Sequence, residues 1–112
     1  MDDPRAPLLA GTLDLMILKT LSAGSFHGYG IAQQIKRLSR DALRVEEGSL
    51  YPALQRMRVK GWVSSEWKQS PTGRKARYYR LTAAGRKQLG QEESEFERSV
   101  AVTMRVLRGA ES

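Results

Sequence analysis

Apolar positions change period along the chain, and each change marks an element. Leu13, Leu15, Met16, Ile17, Leu18 and Leu21 are apolar on nearly every side of a helical projection. They predict a helix from about Leu13 to Ala23, capped by Thr12, with Asp14 in its first turn and a stop at Gly24. A helix without a polar face needs cover on more than one side, either at the domain centre or under a second subunit. Ser25 to Gly30 reads as a turn. A second helix is predicted from about Gly28 to Ser39, with Ile31, Ala32, Ile35 and Leu38 inward and Lys36, Arg37 and Arg40 outward near its end. After an extended link over 44–47, Leu50, Ala53, Leu54 and Met57 fall at i, i+3, i+4 and i+7. They predict a third helix, capped by Ser49, with Pro52 in the first turn and a stop at Lys60-Gly61.

The period then changes to two. Val63, Ser65 and Trp67 alternate with Ser64, Glu66 and Lys68, and a turn cluster over 69–73 leads to a second strand over 77–81. This predicts a two-stranded hairpin with a basic tip at Arg74-Lys75. Tyr79 and Leu81 face the core, and Trp62 and Trp67 pack within the hairpin. Thr82 is placed to cap a last helix from about Ala83 to Leu107, with Gly85 and Gly90 weakening its start. Phe96, Val100, Met104 and Leu107 recur along it at coiled-coil-like spacing, a stripe that needs a partner. The predicted fold class is mainly α with a small β-hairpin (α+β). Its architecture is a winged helix-turn-helix followed by a C-terminal dimerisation helix. We divide the chain into an N-terminal arm over 1–10, the winged unit over 11–82 and the dimerisation helix over 83–112.

Charge sharpens this picture. The 112 residues carry +7 formally, but residues 48–87 alone carry +9, against 0 for residues 1–47 and −2 for residues 88–112. A basic centre between neutral and acidic ends points to a polyanion bound at one place. The third helix presents Ser49, Tyr51, Pro52, Gln55 and Arg56 outward, groups suited to base edges in the major groove. The chain has no asparagine, so an amide for adenine recognition must come from glutamine, and Gln55 is the candidate. Arg37, Arg58, Lys60, Arg74, Lys75 and Arg77 are candidates for phosphates. A winged helix used only as a protein-interaction module is the alternative reading, but a protein interface does not require +9 on one segment.

Other chemistry finds little support. There is no cysteine, and His27 is the only histidine, so no metal cluster, cofactor site or nucleophilic constellation is expected. A capping or turn role suits His27. Gly28-Tyr29-Gly30 does not open a dinucleotide fingerprint, because position 33 is Gln and no strand is predicted before it. The acidic run Glu92, Glu93, Glu95 and Glu97 reads as a solvated face kept away from nucleic acid. The longest apolar run, within 13–21, is too short and too interrupted for a membrane span, and no signal peptide precedes it. A cytoplasmic, nucleoid-associated location is therefore expected.

Several blocks together resemble the PadR family of bacterial transcriptional regulators. They are Gly11-Thr12-Leu13-Asp14 with Ile17-Leu18, His27-Gly28-Tyr29, Gly48-Ser49-Leu50-Tyr51-Pro52-Ala53-Leu54 with Met57, Gly61-Trp62-Val63, Gly73-Arg74, and Tyr78 through Gly85. The match covers roughly residues 8–90, and the single helix after the hairpin is similar to the short subfamily. The resemblance implies a homodimeric repressor on an inverted-repeat promoter operator, released in many members by a small aromatic or cationic compound. Some ligand-binding relatives place a tryptophan in the last helix, where this chain has only Phe96. We expect the dimer interface to use Leu13, Met16, Phe96, Val100, Met104 and Leu107. A pocket for a small aromatic effector is expected near Met16, Phe96 and Val100.

Overall fold

The structure, a computed structural model, describes residues 11–110; the arm predicted over 1–10 lies outside the described residues. Helix α1 (Thr12–Leu21) is followed by a two-residue strand β1 (Phe26–His27), α2 (Gly28–Leu38), α3 (Glu47–Val59), β2 (Val63–Gln69), β3 (Lys75–Leu81) and a long α4 (Ala83–Gly109). The architecture is α+β, as the periodicity predicts.

The apolar first helix lies at the centre of the domain. Ile17, Leu18 and Leu21 are buried against Ile31 and Ile35 of α2, Leu50, Ala53, Leu54 and Met57 of α3, and Val63, Tyr79, Leu81 and Leu89. Leu13, Leu15 and Met16 remain half-buried at its margin. Its boundaries differ from expectation. Gly11, at φ +82, caps the helix and Thr12 is its first residue. At the other end Ser22 closes it, before Gly24 is reached.

The sheet has three strands, in the order β1-β3-β2, where a two-stranded hairpin was expected. Phe26 and His27 pair with Tyr79 and Tyr78 across more than fifty residues of chain. Two residues are too few to show a period, so the sequence reads as a turn there.

Leu38 was expected inward and is 64% exposed. It occupies the last turn of α2, and the chain then bends away through Arg40 and Asp41, both at positive φ. Leu43 and Val45 of the following link pack against the core instead. The C-terminus of α3 is closed more regularly. Gly61, at φ +79, donates to the Arg58 carbonyl at 3.0 Å, and Trp62 donates to the Met57 carbonyl at 2.9 Å. These paired bonds form a Schellman closure, which needs a left-handed residue at Gly61.

Helix α4 begins against that closure. The Thr82 hydroxyl accepts from the Gly85 N–H at 3.0 Å and donates to the Gly61 carbonyl at 2.6 Å. A Cβ at Gly85 would overlap the Trp62 carbonyl oxygen. Gly85 is therefore required by close backbone approach, rather than being a weak point in the helix. Beyond Leu89 the helix leaves the domain, and every residue from Ser94 to Ala110 is exposed.

Two glycines of α4, Gly85 and Gly90, should respond oppositely to alanine. Gly85→Ala should lower stability by about 1–3 kcal/mol through the forced shift against Trp62. Gly90→Ala meets open space in a helix interior and should raise stability by roughly 0.5–1 kcal/mol. Thermal unfolding of the two variants beside the parent checks both signs.

Candidate nucleic-acid interface

Helix α3 buries one stripe and exposes the other. Leu50, Ala53, Leu54 and Met57 are buried, so Gly48, Pro52, Gln55 and Val59, spaced at i, i+4, i+7 and i+11, stand at the middle of the free face. Two expectations about its start are corrected. The N-cap is Glu46 and the helix begins at Glu47, so Ser49 lies in the first turn instead of capping it. Pro52 is the sixth helical residue and lies in the second turn. It has no N–H for the Gly48 carbonyl, whose neighbourhood is open to solvent.

The flanks of that face are tied to neighbouring helices. Arg56 Nη2 donates to Asp14 Oδ1 of α1 at 3.1 Å, so its guanidinium is drawn sideways rather than projecting freely. Ser49 lies on the same flank, two turns earlier. Tyr51, on the other flank, leans over the start of α2 and keeps 43% of its surface exposed. A Cβ at Gly28 would sit 2.5 Å from Tyr51 Oη. Burial, helped by the nearby Glu47 carboxylate and then by Tyr79, raises the Tyr51 pKa from its ordinary value. The phenol therefore stays protonated and able to donate.

Val59 is a free-face residue that the sequence reading missed. It is 75% exposed and lies one turn beyond Gln55. The helical spacing that places Pro52 and Gln55 outward places Val59 outward as well. An exposed methyl pair at that place suits the C5-methyl of thymine.

The predicted phosphate contacts fall into three groups. Arg37, near the end of α2, donates to Gln34 Oε1 at 2.7 Å. Arg58 Nε donates to Gln55 Oε1 at 3.3 Å, and Lys60 lies 4.6 Å from the Trp62 ring centroid. The wing carries Arg74, Lys75 and Arg77. Trp67 was expected to pack within the hairpin; it is 65% exposed, with the Arg77 guanidinium 5.8 Å from its ring. Trp62 is half-buried against the core. His27 caps α2, its Nδ1 accepting from the Gly30 N–H at 2.9 Å, and its ring meets Tyr78 edge-on. The start of α2, Tyr51 of α3 and the inner side of the wing enclose an open cleft of about 510 Å³. α2 and α3 thus form a helix-turn-helix, and the hairpin stands beside it as a wing.

This arrangement is matched by a family model over residues 17–91, that of the transcriptional regulator PadR-like family. The chain belongs to the PadR-like family of transcriptional regulators. Among its relatives, the transcriptional regulator Rv3488 of Mycobacterium tuberculosis is 37% identical over 83 residues, 74% of each chain. The crystal structure of a Streptococcus mutans UA159 protein superposes with a TM-score of 0.80 at 28% identity, covering 93% of both chains. Bacillus subtilis PadR, solved in complex with operator DNA, shares the fold. Its TM-score is 0.64 at 24% identity, with 71% of this chain and 45% of that one covered.

Gly28→Ala tests the seat of Tyr51. The new methyl meets only the far end of a side chain, so melting should change little, while the Tyr51 ring is pushed off α2. Affinity for a duplex selected by the parent should fall about tenfold, the scale of one displaced polar contact. Unchanged affinity would remove Tyr51 from the interface.

Proposed function

We propose that the chain is a sequence-specific DNA-binding repressor. It acts as a homodimer on an inverted repeat in promoter DNA, with one α3 in each of two successive major grooves. The observation that carries this reading is the convergence of the free face of α3 with a wing and cleft in the segment that holds +9. Phosphate contacts from the basic wing supply affinity, and Gln55, flanked by Pro52 and Val59, reads base edges. Arg56 shares its charge with Asp14 and reads at the edge of the site. Ser49, Tyr51, Arg37, Arg58 and Lys60 contribute contacts around it.

The dimer is formed through α4, with Leu13 and Met16 at its margin. Support comes from Phe96, Val100, Met104 and Leu107, four large apolar side chains left exposed on a helix that has outrun its own domain. A two-fold axis through such helices sets two copies of α3 about 34 Å apart, one turn of DNA. A small aromatic compound bound between the two helices near Phe96, Val100 and Met16 shifts that spacing and releases the operator. Among the described residues no helix is long and apolar enough to cross a membrane, and we place this regulator in the cytoplasm with the nucleoid.

Two measurements test the reading. Operator and scrambled duplexes are compared over a salt series. Gln55→Ala should cost roughly 1–3 kcal/mol on the operator and little on the scrambled duplex, while Arg74→Ala with Lys75→Ala should weaken both and lower the salt slope by on the order of 1–2. Equal binding of the parent to both duplexes, at every salt concentration, removes sequence-specific regulation. In sedimentation, the parent should be a dimer and Val100→Glu with Met104→Glu a folded monomer of low operator affinity. A dimeric double variant sinks the α4 interface.

A further inference from the structure

The inward face of the wing continues past the core. Its paired positions are Val63 with Leu81, Ser65 with Tyr79, Trp67 with Arg77, and Gln69 with Lys75. Val63, Leu81 and Tyr79 are buried in the core. Trp67 and Arg77 point the same way but overhang the 510 Å³ cleft, with His27, Tyr29 and Tyr51 opposite. Trp67 is therefore an inward-facing aromatic that no protein group covers over most of its surface, and Tyr29 across the cleft is equally exposed, at 65%.

Arg77 adds an independent observation. Its Nε is buried and has no hydrogen-bond partner among the described residues. Such a donor is costly to leave unpaired, and a turn of the Arg77 side chain towards an anion in the cleft relieves that cost. Among the described residues, no aspartate or glutamate lines the cleft. The one acidic residue of the hairpin, Glu66, lies on the opposite face, where it pairs with Lys68 at 3.8 Å. The chemistry on offer is a guanidinium fork for a phosphate, beside flat rings that pack on a sugar or base.

We infer that this cleft seats one phosphodiester of the bound duplex together with its deoxyribose. Arg77 donates to the phosphate oxygens, and Trp67 and Tyr29 close on the sugar from either side. Arg74 and Lys75 line the same cleft towards the wing tip and add charge for the neighbouring backbone. The inference rests on the DNA-binding reading above and adds a single phosphate and its partner to it.

The test uses the full chain and a duplex selected by the parent from a random library. Single neutral methylphosphonates are walked along one half-site, with the parent and with Arg77→Gln. In the parent, one position should weaken binding by about tenfold to a hundredfold, the scale of a charge-assisted hydrogen bond. Arg77→Gln should weaken the unmodified duplex similarly and lose its sensitivity at that position alone. Trp67 emission, isolated by Trp62→Phe, should change on duplex binding, and should do so less with the methylphosphonate at that same position. If Arg77→Gln fails to melt cooperatively, this emission assay decides alone. A parent that binds the duplex but shows no position coupled to Arg77, or no Trp67 response, overturns the seat while leaving DNA binding intact. A 5′-mononucleotide that changes Trp67 emission by itself, at millimolar concentration, overturns the duplex assignment in favour of a small ligand. A parent that enriches no sequence from the library overturns both readings.

Discussion

Gly85 lies so close to the Trp62 carbonyl that a Cβ there would sit 1.9 Å from the oxygen. Around it, the end of α3, the start of β2, the end of β3 and the start of α4 are joined by a short set of hydrogen bonds. Trp62 N–H returns to α3 at Met57, Thr82 N–H bonds the Trp62 carbonyl at 3.0 Å, and the Thr82 hydroxyl links Gly61 to Gly85. No side chain separates these backbones, so the angle between α3 and α4 is set by peptide geometry rather than by adaptable packing. A helix that projects free of its domain from Ser94 onward needs such a base if its far end is to hold a defined direction.

Helix α1 connects the same two helices from the other side. Asp14 bonds Arg56 of α3, and Lys19 pairs with Glu93 of α4 at 3.3 Å. Both pairs are partly exposed, and pairs of this kind each contribute at most about 1 kcal/mol to stability. Their consequence is positional. Asp14 selects one direction for the Arg56 side chain, and Lys19 engages one member of the acidic run on α4. The apolar body of α1 supplies the stability, since Ile17, Leu18 and Leu21 are buried against every neighbouring layer.

The wing shows how one β-ladder serves two media. Its alternation is constant from Val63 to Gln69, so one face is inward throughout. The core ends near Tyr79, and beyond it the same face carries Trp67, Arg77 and Lys75 over open space. Inward direction and burial therefore part company along a single strand. Where they part, side-chain chemistry changes from apolar to aromatic and cationic, and that junction adjoins Tyr51 on the flank of α3.

Much of this was legible in the residues. The buried stripe of α3, its stop at Gly61, the cap at Thr82, the inward register of Tyr79 and Leu81, and the concentration of charge over 48–87 all follow from local spacing, because covalent neighbours set both helical and strand periods. What remained depends on groups brought together across long stretches of chain. Strand β1 exists only because β3 offers an edge more than fifty residues later. Arg56 is turned by Asp14, forty-two positions away, Trp67 is exposed because the core stops short of it, and Gly85 matters because Trp62 lies against it. Period and composition say which side of an element faces inward; only the tertiary structure decides what is there to meet it, since contact between distant segments is a property of packing and not of sequence spacing.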